Sequence, residues 1–397
     1  MASPALLQTI QDGYPNKSVP EQMYDSNLKS SYEALLASKG ISAGMPASVK
    51  FDPYKHLKYY ANEEEKTKYD ATNRISMNDL NIADPNQIST VGVSDPFPLF
   101  TDEAIEIMRQ EFLQKELFLK YAKYCFNSTS GLDANLRGYV KNDDVVETPF
   151  IHDAWTHPKT MELISRMAGV ELEIVMDQEI AHVNISMKSE EQAAEERIQQ
   201  ARTRAFSGSS DGEDIPAVVG WHKDSYPFVC VLMVSDTSMM IGGETCLRKG
   251  KKNGDATAEV IPVSGPSRGN ACVLQGGCIE HIAPTPSGAS ERITMVTSFR
   301  AKDPTLADNS CLNTVKPEIN FGSRYHNFYP DWIKYRSELV KQRLDLLNDE
   351  LSVERKNGKF DKESAMDTLK DISAYLARTF EEMEINDQEW DKIINNN

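Results

Sequence analysis

The second half of the chain carries short apolar runs bounded by Gly, Pro or Ser, a pattern that predicts strands rather than helices. The runs lie at 171–176, 179–187, 215–221, 228–234, 244–247, 259–263, 270–275 and 291–300. The stretch from Phe228 to Val234 is continuously apolar and β-branched, as a strand covered on both faces requires. In the last run a period of two puts Arg292, Thr294, Val296 and Ser298 on one face, so Arg292 and Thr294 should enter one cavity. About eight strands of this length fit a double-sheet jelly roll of the cupin type, whose mouth is a natural small-molecule site. The expected class is therefore α+β, mainly β.

Helical patterns flank the strands. Thr101 reads as an N-cap, with Asp102 and Glu103 in the first turn, and apolar spacing from Ile105 onward predicts a helix to about residue 124. A second helix, 157–168, should stop at Gly169. Residues 188–205 are charged and helical and run into a Gly/Ser loop at 207–212. This 188–214 insertion reads either as a solvated surface element or as a lid over the site.

Beyond Pro330, Ile333, Leu339, Leu344, Leu347 and Leu351 form one apolar stripe. Met366, Leu369, Ile372, Leu376 and Phe380 form another. These stripes predict packing against the barrel or a homodimer contact. The polar, turn-rich first 95 residues predict coil with short helices. The expected division is thus an N-terminal extension (1–95), buttressing helices (96–170), the jelly-roll core (171–304) and a helical C-terminal region (305–397).

Composition narrows the partners. Of 397 residues, 60 are acidic and 43 basic, a net charge of -17 that argues against nucleic acid and anionic membrane surfaces. No run of 18 apolar residues occurs, and Met1-Ala-Ser-Pro lacks the basic and apolar regions of a signal peptide. Cys125, Cys230, Cys246, Cys272, Cys278 and Cys311 form no C-x-x-C pair. Reduced thiols and a cytoplasmic setting are expected.

The chemistry concentrates in His222-x-Asp224, His281 and Arg292. Two imidazoles and one carboxylate occupy one face of a six-coordinate metal and leave three positions open, the ligand set of non-haem Fe(II) oxygenases. A lone His-x-Asp arises readily by chance; here it ends one strand run, and His281 follows a Gly276-Gly277 bend. Arg292 adds a planar fork suited to a carboxylate.

With Gly242-Gly243-Glu244-Thr245 and Gly269, these residues make the stretch from about 171 to 304 resemble the double-stranded β-helix core of the Fe(II)/2-oxoglutarate-dependent dioxygenase superfamily. The flanks around 95–100 and 220–227 resemble a fungal branch tied to secondary metabolism. The resemblance implies that His222, Asp224 and His281 hold the iron. It implies that Arg292 and Thr294 bind the distal carboxylate of 2-oxoglutarate. Asn184 is either a further co-substrate contact or a strand-edge polar residue facing water. Gln275 and Lys223 are substrate contacts or simply exposed, and Glu280 should turn away from the cavity.

The implied reaction consumes O2 and 2-oxoglutarate, releases succinate and CO2, and oxidises an unactivated C–H bond of a small metabolite. Hydroxylation, desaturation, epoxidation and ring closure are all compatible with it. Halogenation is not expected, because halogenating relatives have a small residue where Asp224 stands. Two other classes stay open: an oxidase resembling isopenicillin N synthase, binding its substrate's own carboxylate at Arg292 and Thr294, and a catalytically silent jelly-roll binding module.

Overall fold

The computed structural model describes residues 49–124, 132–142, 144–204, 217–251, 258–263, 265, 267–317 and 325–385. Helices α1 (Pro53–His56), α2 (Lys58–Ala61) and α3 (Glu63–Asp70) lead to strands β1 (Arg74–Ser76), β2 (Val91–Ser94) and β3 (Phe97–Pro98). Next come α4 (Asp102–Phe112), α5 (Lys115–Tyr121), β4 (Ala122–Tyr124), β5 (Leu132–Leu136) and the hairpin of β6 (Lys141–Asn142) with β7 (Val145–Val146). Helices α6 (Pro149–Thr156) and α7 (Pro158–Ala168) precede β8 (Leu172–Ile174), a 3-10 turn at Asp177–Glu179, β9 (His182–Met187) and α8 (Glu190–Arg204). The remaining strands are β10 (Ala217–His222), β11 (Phe228–Met233), β12 (Cys246–Arg248), β13 (Val260–Pro262), β14 (Asn270–Leu274), β15 (His281–Pro284) and β16 (Glu291–Ala301). Helices α9 (Tyr325–Lys356) and α10 (Lys362–Glu381) follow.

Two antiparallel sheets organise these strands. The larger runs β1-β2-β14-β11-β16-β9-β5-β4, with β3 beside β14 and β8 beside β16. The smaller runs β10-β15-β12-β13. Alternation along the strands decides what each face meets. Phe228, Cys230 and Leu232 of β11, Ile293, Met295 and Phe299 of β16, and Val183 and Ile185 of β9 join one apolar core. Ile105, Met108 and Phe112 of α4, Phe150 and Trp155 of α6, and Leu163 and Ile164 of α7 complete it. The opposite face supplies Val229, Val231 and Val296 to a second cluster shared with Leu247 and Ile261 of the smaller sheet. The two sheets thus sandwich an interior, and the helices cover the outside of the larger one.

Several expectations change. The helix from Thr101 is capped as anticipated, its hydroxyl accepting from the Ala104 amide, but α4 ends at Phe112. Residues 122–124 instead pair with β5, where the backbone gains a ladder (Ala122↔Leu136) that a helix would forgo. The short helices expected before residue 95 are present as α1–α3, but strands accompany them. Within 49–95, β1 and β2 extend the larger sheet, with Val93 buried and paired to Leu274, while residues 1–48 lie outside the description. Helix α6 was not anticipated, and α7 begins and ends as expected. Gly169 takes φ 70 beyond its last turn, a conformation that costs glycine little.

The C-terminal stripes do not form a core face. Leu339, Leu347 and Ile372 are buried, but Ile333, Leu344, Met366, Leu369, Leu376 and Phe380 are exposed. The buried contacts come from Trp332, Tyr335, Arg336 and Tyr375. Arg336 lies flat on Tyr375, 3.4 Å from the ring centroid, and donates to the Tyr375 carbonyl and the Thr379 hydroxyl. Aromatic and guanidinium groups thus replace the aliphatic stripe as the packing surface.

Candidate metal centre

His222 closes β10 and His281 opens β15, and the antiparallel register sets them directly opposite each other. Their ring centroids lie 4.3 Å apart. Asp224 sits two residues past the strand end, where its amide donates to the Gly276 carbonyl at 2.9 Å. Its Oδ1 lies 3.5 Å from His222 Nε2 and 3.6 Å from His281 Nε2. One ligand atom from each of the three residues falls within a mutual 4.8 Å.

The ring orientations are fixed from behind. His222 Nδ1 donates to the Gly220 carbonyl at 2.7 Å, and His281 Nδ1 donates to the Ile279 carbonyl at 3.0 Å. A neutral imidazole that donates through Nδ1 carries its lone pair on Nε2, so both rings turn a lone pair toward Asp224. Asp224 Oδ2 is buried without a hydrogen-bond partner among the described residues. Gly276 packs so closely that a Cβ there would stand 1.7 Å from Asp224 Oδ2. Burial acts to raise the Asp224 carboxyl, but His281 and His222 outweigh it and hold the group below its ordinary range. Burial likewise acts to lower His222, and Asp224 reverses this and raises it. Two lone-pair nitrogens and a carboxylate converging in this way suit a cation.

Arg292 and Thr294 lie together on a narrow cleft between the sheets, beside Val231, Met233, Thr245 and Val263. Thr245 immediately precedes β12, whose Leu247 pairs with His281, so the cleft adjoins the strand carrying that imidazole. Glu291, facing the other way, anchors this end of β16. Arg109 grips it with two bonds of 2.6 and 2.9 Å, and the Ser235 hydroxyl donates to it at 2.8 Å. Arg292 is 7 % exposed, and no carboxylate among the described residues pairs with it. Its Nε has no partner, and burial pushes the group down to about 10. An unpaired buried guanidinium is costly and awaits an anion.

The other anticipated residues divide. Asn184 stands opposite Thr294 on β9 and is half-buried, but it does not line the cleft. Gln275 is neither exposed nor turned toward a ligand. It is fully buried, accepting from the Ile88 amide and donating to the Ser89 and Val91 carbonyls, and so fastens β2 to the sheet. Lys223 reaches Asp84 at the surface, and Glu280 pairs with Arg248 as a surface group. Arg300 lies outside the cleft and meets Glu173. Loop 207–212 lies outside the described residues.

The sequence did not reveal a buried polar cluster beside the metal loop, formed by Arg137, Glu179, His182 and Tyr226. Its members come from three separate segments, and only Tyr226 falls in a stretch singled out in the sequence, 220–227. The only signal was charge within otherwise apolar stretches.

No family model matches the chain, and no curated protein matches it. Among solved structures, similarity extends to a 2OG-Fe(II) oxygenase-family oxidoreductase from Burkholderia pseudomallei, at 14% identity and a TM-score of 0.26, over 42% of this chain and 68% of that one. AviO1 from Streptomyces viridochromogenes aligns at 12% identity and a TM-score of 0.35, over 57% and 94%. HygX from Streptomyces hygroscopicus, solved with nickel and 2-oxoglutarate bound, aligns at 11% and 0.29, over 51% and 80%. At such low similarity the functional reading rests on the side chains.

Proposed function

We propose that this chain is a non-haem Fe(II) oxygenase with a jelly-roll core that consumes 2-oxoglutarate and O2 to oxidise a C–H bond of a small metabolite. One observation carries the reading: a metal-binding donor set and a buried guanidinium stand on neighbouring parts of the same interior. The Nε2 atoms of His222 and His281 and the carboxylate of Asp224 converge as a donor set for a cation. Arg292 is a buried cation that lacks an acid. A binding module has no need of either, and a metal with a carboxylate co-substrate satisfies both.

The donor set fits Fe(II): two nitrogens and one oxygen, with both imidazoles fixed in the metal-binding tautomer by backbone carbonyls. When bound, the metal supplies oxygen activation coupled to decarboxylation of the keto acid. The remaining work falls to the protein. Arg292 holds the distal carboxylate in a bidentate grip, and the Thr294 hydroxyl donates to it. Val231, Met233 and Val263 keep water from the cleft, which protects a strong oxidant from side reactions. Asn184, paired with Thr294 across the strands, is a candidate further contact for the co-substrate. We assign the substrate to fungal secondary metabolism on the resemblance of residues 95–100 and 220–227.

The test is anaerobic reconstitution with Fe(II), followed by 2-oxoglutarate, reading the weak visible charge-transfer band of the chelate. The band should vanish in His281→Ala and need far more 2-oxoglutarate in Arg292→Ala. An iron-loaded wild type without a band would favour the oxidase whose own substrate meets Arg292. A wild type that takes up no iron would restore the binding module.

A further inference from the structure

We propose that Arg137, Glu179 and Tyr226 are positioning residues for the metal centre, fixing the loop that carries Asp224 and cancelling a buried positive charge beside it. The inference rests on the metal reading above. Tyr226 lies two residues beyond Asp224 and is 2% exposed, and its hydroxyl donates to Glu179 Oε1 at 3.2 Å. Glu179, equally buried, receives Arg137 Nη1 at 2.5 Å on the same oxygen. Arg137 Nη2 lies 3.1 Å from His182 Nδ1. A guanidinium only donates, so His182 accepts at Nδ1 and carries its hydrogen on Nε2.

These partners sit on fixed elements. Arg137 follows β5, Glu179 ends the 3-10 turn, and His182 opens β9. Tyr226 thereby ties the metal loop of the smaller sheet to the ends of β5 and β9 in the larger one. The loop is held from the other side as well: Asp224 donates to Gly276, and the Ser225 carbonyl accepts from the Cys311 amide at 2.8 Å. Asp224 is therefore clamped between two supports, and the Tyr226 support runs through a buried ion pair.

Charge supplies the second half of the argument. A buried Arg–Glu pair seldom stabilises a fold more than apolar groups of the same size, so its presence calls for another role. Arg137 reaches the metal loop through Glu179, whose Oε1 accepts from both Arg137 and Tyr226. A lone guanidinium there would repel a divalent cation. Glu179 neutralises it, leaving the donor set free to hold a metal.

Removal of such supporting partners typically weakens metal binding by about 10- to 100-fold. Full-length metal-free protein should be titrated with Co(II), following its visible d–d absorption, as wild type, Tyr226→Phe and Glu179→Gln. Tyr69→Phe is the control, because Tyr69 is a buried tyrosine whose hydroxyl donates to the distant Leu163 carbonyl. The expected result is roughly 10-fold or greater weakening in Tyr226→Phe and Glu179→Gln, with an altered d–d envelope and no change in Tyr69→Phe. The metal-free melting temperature of Tyr226→Phe should stay near that of wild type. Should Glu179→Gln fail to fold, Tyr226→Phe decides alone. Wild-type affinity in Tyr226→Phe, or equal weakening in Tyr69→Phe, would overturn the inference. A wild type that binds no Co(II) would instead overturn the metal reading, and the positioning role with it.

Discussion

Replacing Arg292 by Met should stabilise the metal-free protein while abolishing its response to 2-oxoglutarate. Burial pushes the guanidinium well below its ordinary value, down to about 10. At about 1.4 kcal/mol per pH unit, that shift amounts to roughly 3 kcal/mol of unfavourable burial. For a base with a depressed folded-state pKa the cost is fully present at neutral pH and fades only as pH rises past that value, so a measurement at pH 7.5 senses all of it. Methionine keeps the unbranched stem and removes the charge, at the loss of roughly 1 kcal/mol of polar contacts. The net gain of about 2 kcal/mol should appear as a rise of a few degrees in melting temperature. Wild type should gain about 2.7 kcal/mol with metal and 2-oxoglutarate at 100 times its Kd, and the variant nothing from the keto acid. Scanning calorimetry on both proteins, with and without 2-oxoglutarate, measures all four states. A lower melting temperature in metal-free Arg292→Met, or equal stabilisation of both by the keto acid, would refute the picture of an unpaired cation awaiting a carboxylate.

Other outcomes follow from the same geometry. Gly276→Ala puts a methyl where Asp224 Oδ2 stands, so Co(II) binding should be lost while circular dichroism stays native. The raised His222 contributes stability to the metal-free protein below pH 6.5 that is lost as pH climbs through its folded-state value, so metal-free melting temperature should fall across that window. Metal uptake must expel the same proton; calorimetry of Co(II) binding in buffers of different ionisation heat should reveal its release. Asp308→Asn leaves Arg336 buried without its counter-charge and weakens the bonds from Ser310, Tyr335 and Tyr375. Urea unfolding should show a loss of about 3–5 kcal/mol.

What could be read from the sequence is what alternation and ligand chemistry encode. The strand run 291–300 announced its inward face, and Arg292 and Thr294 do share a cleft. His222 and His281 could be named from residue type and spacing, since few other roles use that set beside strand ends, and the register brings them together. Gln275 reads as exposed in the sequence because its burial depends on β2, a four-residue strand whose Val91 lies 184 positions away. The C-terminal helices were misjudged because periodicity counts aliphatic residues. Arg336, fully buried against Trp332 and Tyr375, looks in sequence like a surface charge. Long-range partners decide both cases, and no local pattern carries them.

The same limit hides how the C-terminal region supports the metal site. Residues 308–316 run between α10 and the metal loops, making bonds to both. On one side, Arg378 donates to the Asn309 and Ser310 carbonyls, Glu382 accepts from the Leu312 amide, and Lys316 donates to the Glu384 carbonyl. On the other, the Cys311 amide meets the Ser225 carbonyl, Ser225 and Thr314 share a hydroxyl bond, and Asn309 donates to the Gly277 carbonyl. Ser225 follows Asp224, and Gly277 follows the glycine that packs against its carboxylate. The helices therefore hold the two loops that shape the metal site, through a segment whose bonds are largely to backbone. Backbone bonding leaves little trace in residue type, whereas the donor set it supports had to be spelled in side chains.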